Sequence, residues 1–305
     1  YEPAAYYLDV EGAGPREVAM TLDPASLVPE RYVKQLGRPK FVAVVAAHVL
    51  AQHLSDPRRT VGRVDGFVVE GATAGGHNAP PRGQPTFNER GEPVYGEKDT
   101  ADLGKMRELG RPFWLAGSHA HPQKLAEALE EGAVGCQVGS IFALCEESGL
   151  RADIKREIKR QAYKGQLDVL ADPISSASGY PFNVVQLAGT VSNAETYEAR
   201  TRVCDLGHLR HAYKTERGDI AFRCPAEPVD VYLKRGGRIE DTVGRKCLCN
   251  GLISAVGLEQ ERRWGKEPPI VTLGRSTDFI HDLIDNEDGS YTAADAISYL
   301  TGKQS

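Results

Sequence analysis

The chain has 305 residues, 41% hydrophobic, 26% charged and 7% aromatic, an ordinary balance for a soluble globular protein of one or two domains. Lys and Arg number 37 against 42 Asp and Glu, a formal charge of -5; this argues against nucleic acid or an anionic membrane surface, which select a basic footprint. No apolar run approaches the ~18–20 residues of a bilayer span, and the opening YEPAAYYLDVEG shows neither Met nor a secretory leader, so a cytoplasmic, processed or partial chain is expected.

Residues 1–40 form a lead-in. AAYYLDV (4–10) and REVAMTL (16–22) read as short strands broken at Gly12, Gly14 and Pro15, followed by a weakly helical stretch punctuated by Pro24, Pro29 and Pro39. From Lys40 the pattern is regular. FVAVVAA (41–47), DGFVVE (65–70), PFWLA (112–116) and VGCQV (134–138) are apolar runs of strand length, suited to burial on both faces. Residues 48–54, 100–109 and 122–131 read as helices, the last with Leu125, Ala128 and Leu129 at helical spacing. This alternation predicts βα units and a parallel sheet across 41–150.

Three of these strands end at Gly71, Gly117-Ser118 and Gly139-Ser140. Glycine lets a backbone approach a ligand closely, and a Gly-Ser turn opening a helix offers amides and a positive dipole end to an anion. Two such turns on neighbouring strands suit a phosphate, as at the ends of the last two strands of a (β/α)8 barrel.

Residues 151–200 bring a charged amphipathic helix (151–163) and a Pro/Gly/Ser-rich stretch, ADPISSASGYPFNV (171–184), that reads as an ordered loop. Residues 201–305 are a cysteine-containing extension, closed by a helix that starts at the capping-box pattern Thr292-x-x-Asp295 and ends near Gly302.

EGATAGGHNAPP (70–81), with PFWLAGS (112–118), GAVGCQVGSIFALCEESG (132–149) and DPISSASGYPFNV, resembles the nitronate monooxygenase (2-nitropropane dioxygenase-like) family, which includes FMN-dependent enoyl reductases. The resemblance runs from about Lys40 to Val185 and implies the C-terminal half of an FMN-binding (β/α)8 TIM barrel with a C-terminal extension. The family's opening strand, with its Gln-Gly-Gly-Met turn, and the Asn-bearing strand after it have no counterpart here. The N-terminal barrel half is therefore expected upstream of this sequence or on a separate chain.

The resemblance implies that His77 sits near the reactive edge of the flavin as a base or polarising group, a role suited to a side chain that titrates near neutrality. It implies that Glu70, Gly71, Gly75 and Gly76 approach the ribityl chain or ring. The FMN phosphate falls to Gly117, Ser118, Gly139 and Ser140, with Gln137 and Val138 on the approach. His119 stands where the family carries a small residue. His119 and His121 form a His-x-His pair without a third ligand in view, and His48, His53, His208, His211 and His281 read as packing or surface residues.

Cys204, Cys224, Cys247 and Cys249 could supply four thiolates for zinc or an iron–sulfur cluster, although their spacing is not the usual paired Cys-x-x-Cys; buried thiols are the alternative. The implied activity is oxidation of alkyl nitronates by O2 to a carbonyl compound and nitrite. Enoyl-thioester reduction on the same scaffold is the enzyme alternative, and a metal-organised interaction module the non-enzyme one.

Overall fold

The computed structural model describes residues 4–33, 37–60 and 62–302, which divide into two units. The smaller draws its described residues from 1–40 and 202–243, the larger from 41–201 and 244–302.

The smaller unit is built on two antiparallel hairpins. Ala4–Tyr7 pairs with Ala19–Leu22, within the stretches expected to be extended, and His211–Lys214 pairs with Ile220–Arg223. Arg223, which ends the second hairpin, is buried. It pairs with Glu11 at 2.7 Å and lies 4.5 Å from the Tyr213 ring and 5.5 Å from the Tyr232 ring. A guanidinium removed from water needs such a carboxylate and such aromatic faces around it.

The larger unit is a mixed α/β fold. Val42–Val45, Gly66–Glu70, Phe113–Ala116 and Gly135–Gln137 form a parallel sheet in sequence order. The helices His48–Ser55, Leu103–Glu108, Pro122–Glu130 and Ser140–Ala143 follow the strands. Alternation along the strands decides what each face meets. Ala43, Val45, Phe67, Val69, Phe113 and Leu115 pack against Ala51, Met106 and Ala128 from the helices.

The opposite face carries Val42, Val44, Gly66, Val68, Trp114 and Gly135, which the register aligns across the sheet. Trp114 stands between Val68 and Gly135 in the register, and its indole fits because Gly135 and the diagonal neighbour Gly66 lack side chains. A Cβ on Gly66 would stand 3.1 Å from its Cζ3, and one on Gly135 would stand 3.2 Å from its Cδ1. The first strand corrects an expectation. The run 41–47 is covered on one face, not two: Val42 is 38% and Val44 54% exposed, because this strand is an edge of the sheet.

A second sheet is antiparallel, in the order Gly76–His77, Phe182–Val185, Val169–Asp172. The stretch 171–184, expected to be loop throughout, thus begins and ends in strand. Phe182, Asn183, Val184 and Val185 are all buried there, and the turn-forming residues are confined to 173–181. The main core of this unit gathers Ile154, Ile158 and Ala162 from the helix Ala152–Tyr163 with Ile141, Leu144, Val185, Leu273 and Tyr291. The last helix, Ala293–Thr301, has the expected Thr292–Asp295 capping box and stops at Gly302 with φ 65°. Among the described residues no helix is long and apolar enough to cross a membrane.

Candidate functional site

The C-terminal ends of the three inner and edge strands 66–70, 113–116 and 135–137 meet in glycine-rich turns. The Gly71 amide donates to the carbonyl of Ala116 at 3.0 Å, joining the first turn to the second. Gly117 has φ 94°, and a Cβ there would come within 3.0 Å of Thr73 Oγ1 and 3.2 Å of the Gly71 carbonyl, so the turn requires glycine. Ser118 follows at φ 56°, a left-handed conformation uncommon for a residue with a side chain. Gly139 caps the helix Ser140–Ala143, its carbonyl taking the amides of Phe142 and Ala143. Among the described residues, the amides of Ser118, Gly139 and Ser140 meet no acceptor.

These turns form one side of a cleft of about 340 Å³. Glu70, Gly75, Gly76, Gly117, Ser118, Gln137, Val138, Gly139 and Ser140 all line it. Gly71 faces a neighbouring recess with Tyr95 and Asp99. The far side is a segment that the sequence reading missed, Thr272, Leu273, Gly274 and Ser276. It is held at close range. Thr272 Oγ1 accepts the Gly76 amide at 2.6 Å, Ser140 Oγ accepts the Gly274 amide at 2.8 Å, and the Arg275 amide donates to Thr73 at 2.9 Å. A Cβ on Gly75 would stand 2.8 Å from the Leu273 carbonyl carbon, so the two backbones touch. The run IVTLG bounded by Pro269 is the signal in the sequence that could have drawn attention to this segment.

Glu70 ends its strand half-buried in this cleft, and burial pushes its carboxyl pKa up. Among the described residues no donor meets it. His119, also half-buried on the cleft, has a buried Nδ1 without a hydrogen-bond partner, and burial lowers its pKa against an opposing backbone interaction with Gly117. His121 is accounted for differently: its Nδ1 accepts the Gln123 amide at 3.1 Å and caps the helix Pro122–Glu130.

His77 stands next to the cleft residue Gly76 and is not itself among the residues lining the cleft. Its outer side is exposed. Its inner side meets Phe182, edge to face at 4.8 Å, and its Nε2 lies 2.6 Å from Ser176 Oγ. This partial desolvation lowers its pKa, so the neutral imidazole is favoured.

Cys204 and Cys224 fall in the smaller unit, Cys247 and Cys249 in the larger. Cys247 is buried, and a hydrogen bond with Cys249 together with burial pushes its thiol pKa far up, holding it protonated. Among the described residues, no group of three or more His, Cys, Asp or Glu is placed to hold a metal ion.

No protein-family model and no curated protein matches the chain. Among solved structures it is similar to FabK from Thermotoga maritima, at 18% identity and a TM-score of 0.49, over 90% of this chain and 63% of that one. A mutant of the same FabK matches at 18% identity and a TM-score of 0.45, with the same coverage. The chain thus spans less than two thirds of the length of these structures.

Proposed function

We propose that the chain is an FMN-dependent oxidoreductase and that its parallel sheet is half of a (β/α)8 barrel, completed by an N-terminal half or by a separate chain that carries one. The observation that carries this reading is the pair of turns on neighbouring strands, Gly117-Ser118 and Gly139-Ser140, whose unpartnered amides open on one cleft. A dianion is bound by such donors at a helix start. The residues fit the cofactor. No protein atom lies within 4 Å of the Cβ position of Gly139, which leaves room for phosphate oxygens, and the Glu70 carboxyl suits ribityl hydroxyls.

The FMN, when bound, supplies the redox capacity. The chain's own groups do the rest. The turn amides fix the phosphate, Gly76, with open space at its Cβ position, admits the cofactor to close range, and the neutral His77 imidazole takes the proton α to a nitro group. We favour nitronate oxidation, in which two nitronates and one O2 give two carbonyl compounds and two nitrite ions.

The test is an FMN titration of the protein together with the N-terminal barrel half, followed by anaerobic addition of an alkyl nitronate, then O2. Saturable flavin binding with nitrite release is expected. Flavin that remains in solution overturns the cofactor assignment. Rapid anaerobic bleaching by NAD(P)H with turnover of an enoyl thioester, and no nitrite, replaces nitronate oxidation with enoyl reduction. Colourless protein carrying stoichiometric zinc favours a metal-organised interaction module instead.

A further inference from the structure

His77 is the first member of a chain of hydroxyls. Its Nε2 lies 2.6 Å from Ser176 Oγ, which lies 2.7 Å from Ser178 Oγ. Ser176 is fully buried, whereas Ser178 is half-buried on a loop that reaches solvent at Gly179 and Tyr180. The Ser178 amide donates back to Ser176 Oγ at 3.2 Å, and the Tyr180 amide to Ser178 Oγ at 3.3 Å, so backbone holds both oxygens in line.

The loop itself is fastened by charge. Asp172 accepts the amides of Ile174 and Ser175 at 2.9 and 3.0 Å and pairs with Lys246 at 3.1 Å, while Arg245 donates to the carbonyls of Ile174 and Ser176. Asp172 ends the strand that leads into the loop bearing the serines, Arg245 and Lys246 reach that loop from before the helix Leu248–Ala255, and these contacts are with one another and with the loop backbone. From the neighbouring strand the ring meets Phe182, which is neutral.

We propose that Ser176 and Ser178 are positioning residues that set the tautomer of His77 and carry its proton to solvent. This rests on His77 acting as the base. Each hydroxyl has one proton and two lone pairs. With the Ser176 proton turned to Ser178, Ser176 Oγ accepts from Nε2–H, and Nδ1 is left as the basic nitrogen. Once Nδ1 has taken a proton, the Nε2 proton passes to Ser176 Oγ, the Ser176 proton to Ser178 Oγ and the Ser178 proton to water. Three bonds to hydrogen break and three form; both hydroxyls stay neutral, the positive charge leaves the ring as hydronium, and the ring is left as the Nδ1–H tautomer until that proton is lost at its exposed side and one returns through the serines to Nε2. Two serines in series provide this reversible polarity, which a carbonyl acceptor on Nε2 would not.

The experiment follows histidine ring nitrogens and ring-proton exchange by NMR in isotopically labelled protein, with His77→Asn to assign the signal. Wild type is compared with Ser176→Ala, Ser178→Ala and Ser178→Thr, and turnover is measured on a nitroalkane. Both alanine variants are expected to slow His77 proton exchange and mix its tautomers. They are expected to lower kcat by about 10- to 100-fold with KM and FMN affinity held, less than the 10²–10⁴ attached to the base itself. Ser178→Thr, which keeps the hydroxyl, is expected to restore exchange. Unchanged tautomer and exchange in a folded Ser176→Ala overturn the proposal. If Ser176→Ala does not fold, an unchanged Ser178→Ala overturns it equally. A wild type that shows the ring response but no turnover overturns the assigned reaction and supports the relay.

Discussion

The hydroxyl of Ser140 accepts the amide proton of Gly274 at 2.8 Å, so one side chain serves a glycine-rich turn and also fastens the segment facing it. Ser140→Ala leaves that amide without its acceptor, at a cost of about 1 kcal/mol. FMN binding is expected to weaken without being lost, and amide exchange at Gly274 to accelerate. Unchanged exchange there would show that the bond does not hold the segment.

Gly139 gives the contrasting case. A valine side chain at this position meets no protein atom near its Cβ and stands in the cleft. Gly139→Val is therefore expected to keep its melting temperature and release FMN, measured by flavin fluorescence. Full flavin occupancy would sink the phosphate placement.

Gly75→Ala acts on the fold instead. Its Cβ would lie 2.8 Å from the Leu273 carbonyl carbon and 2.9 Å from the Gly274 amide nitrogen, both backbone atoms that must move. A loss of about 1–3 kcal/mol is expected, the usual cost of overpacking, read from the denaturant midpoint at constant slope. A midpoint equal to wild type would mean that the two backbones separate without penalty.

Glu70 yields a prediction with a definite sign. Its folded pKa is raised above the unfolded value by burial, so it favours folding below the unfolded pKa, and that contribution is lost as pH rises through the folded pKa. At neutral pH the buried carboxylate is a burden that glutamine removes. Glu70→Gln is expected to melt higher than wild type at pH 7, with the gap closing towards acid pH. A gap that widens on acidification would contradict the burial argument.

For His77 the shift runs downward from the ordinary 6.5 because of partial burial. A base must be neutral, so kcat/KM for a nitroalkane is expected to rise with pH through that lowered pKa and level off near neutrality. His77→Asn is expected to keep FMN, lose the pH step and fall by about 10²–10⁴-fold, with a smaller loss on preformed nitronate. Equal losses on both substrates would assign His77 to electrostatic positioning.

Much of the parallel sheet was legible because its strands are apolar runs closed by glycine, a pattern set by burial between helices on one face and by backbone approach at the ends. The capping box at Thr292 was legible for a similarly local reason, since its partner lies three residues away. The antiparallel sheet was hidden. Gly76–His77 is too short to show any periodicity, and Phe182–Val185 follows directly on turn-forming residues. The segment around Thr272 was hidden for another reason. It lies outside any regular ladder and is held by separate bonds, such as Val185 amide to Val271 carbonyl at 2.9 Å, which leave no period in the sequence. Ser176 likewise reads as one serine among several until the fold brings it to His77.

Thr272 is bonded on one side to Gly76, 196 residues earlier, and on the other to Asn183, 89 residues earlier. On a ribosome the parallel strands, the antiparallel strands and the AGGH turn would all be made well before this threonine. A nascent chain can therefore assemble its sheets while one bank of the cleft is still unsynthesised. Such long-range closures come late in folding. On the proposed function, cofactor capture would then wait on this segment, and flavin uptake would report chains closed at Thr272 as distinct from merely collapsed ones.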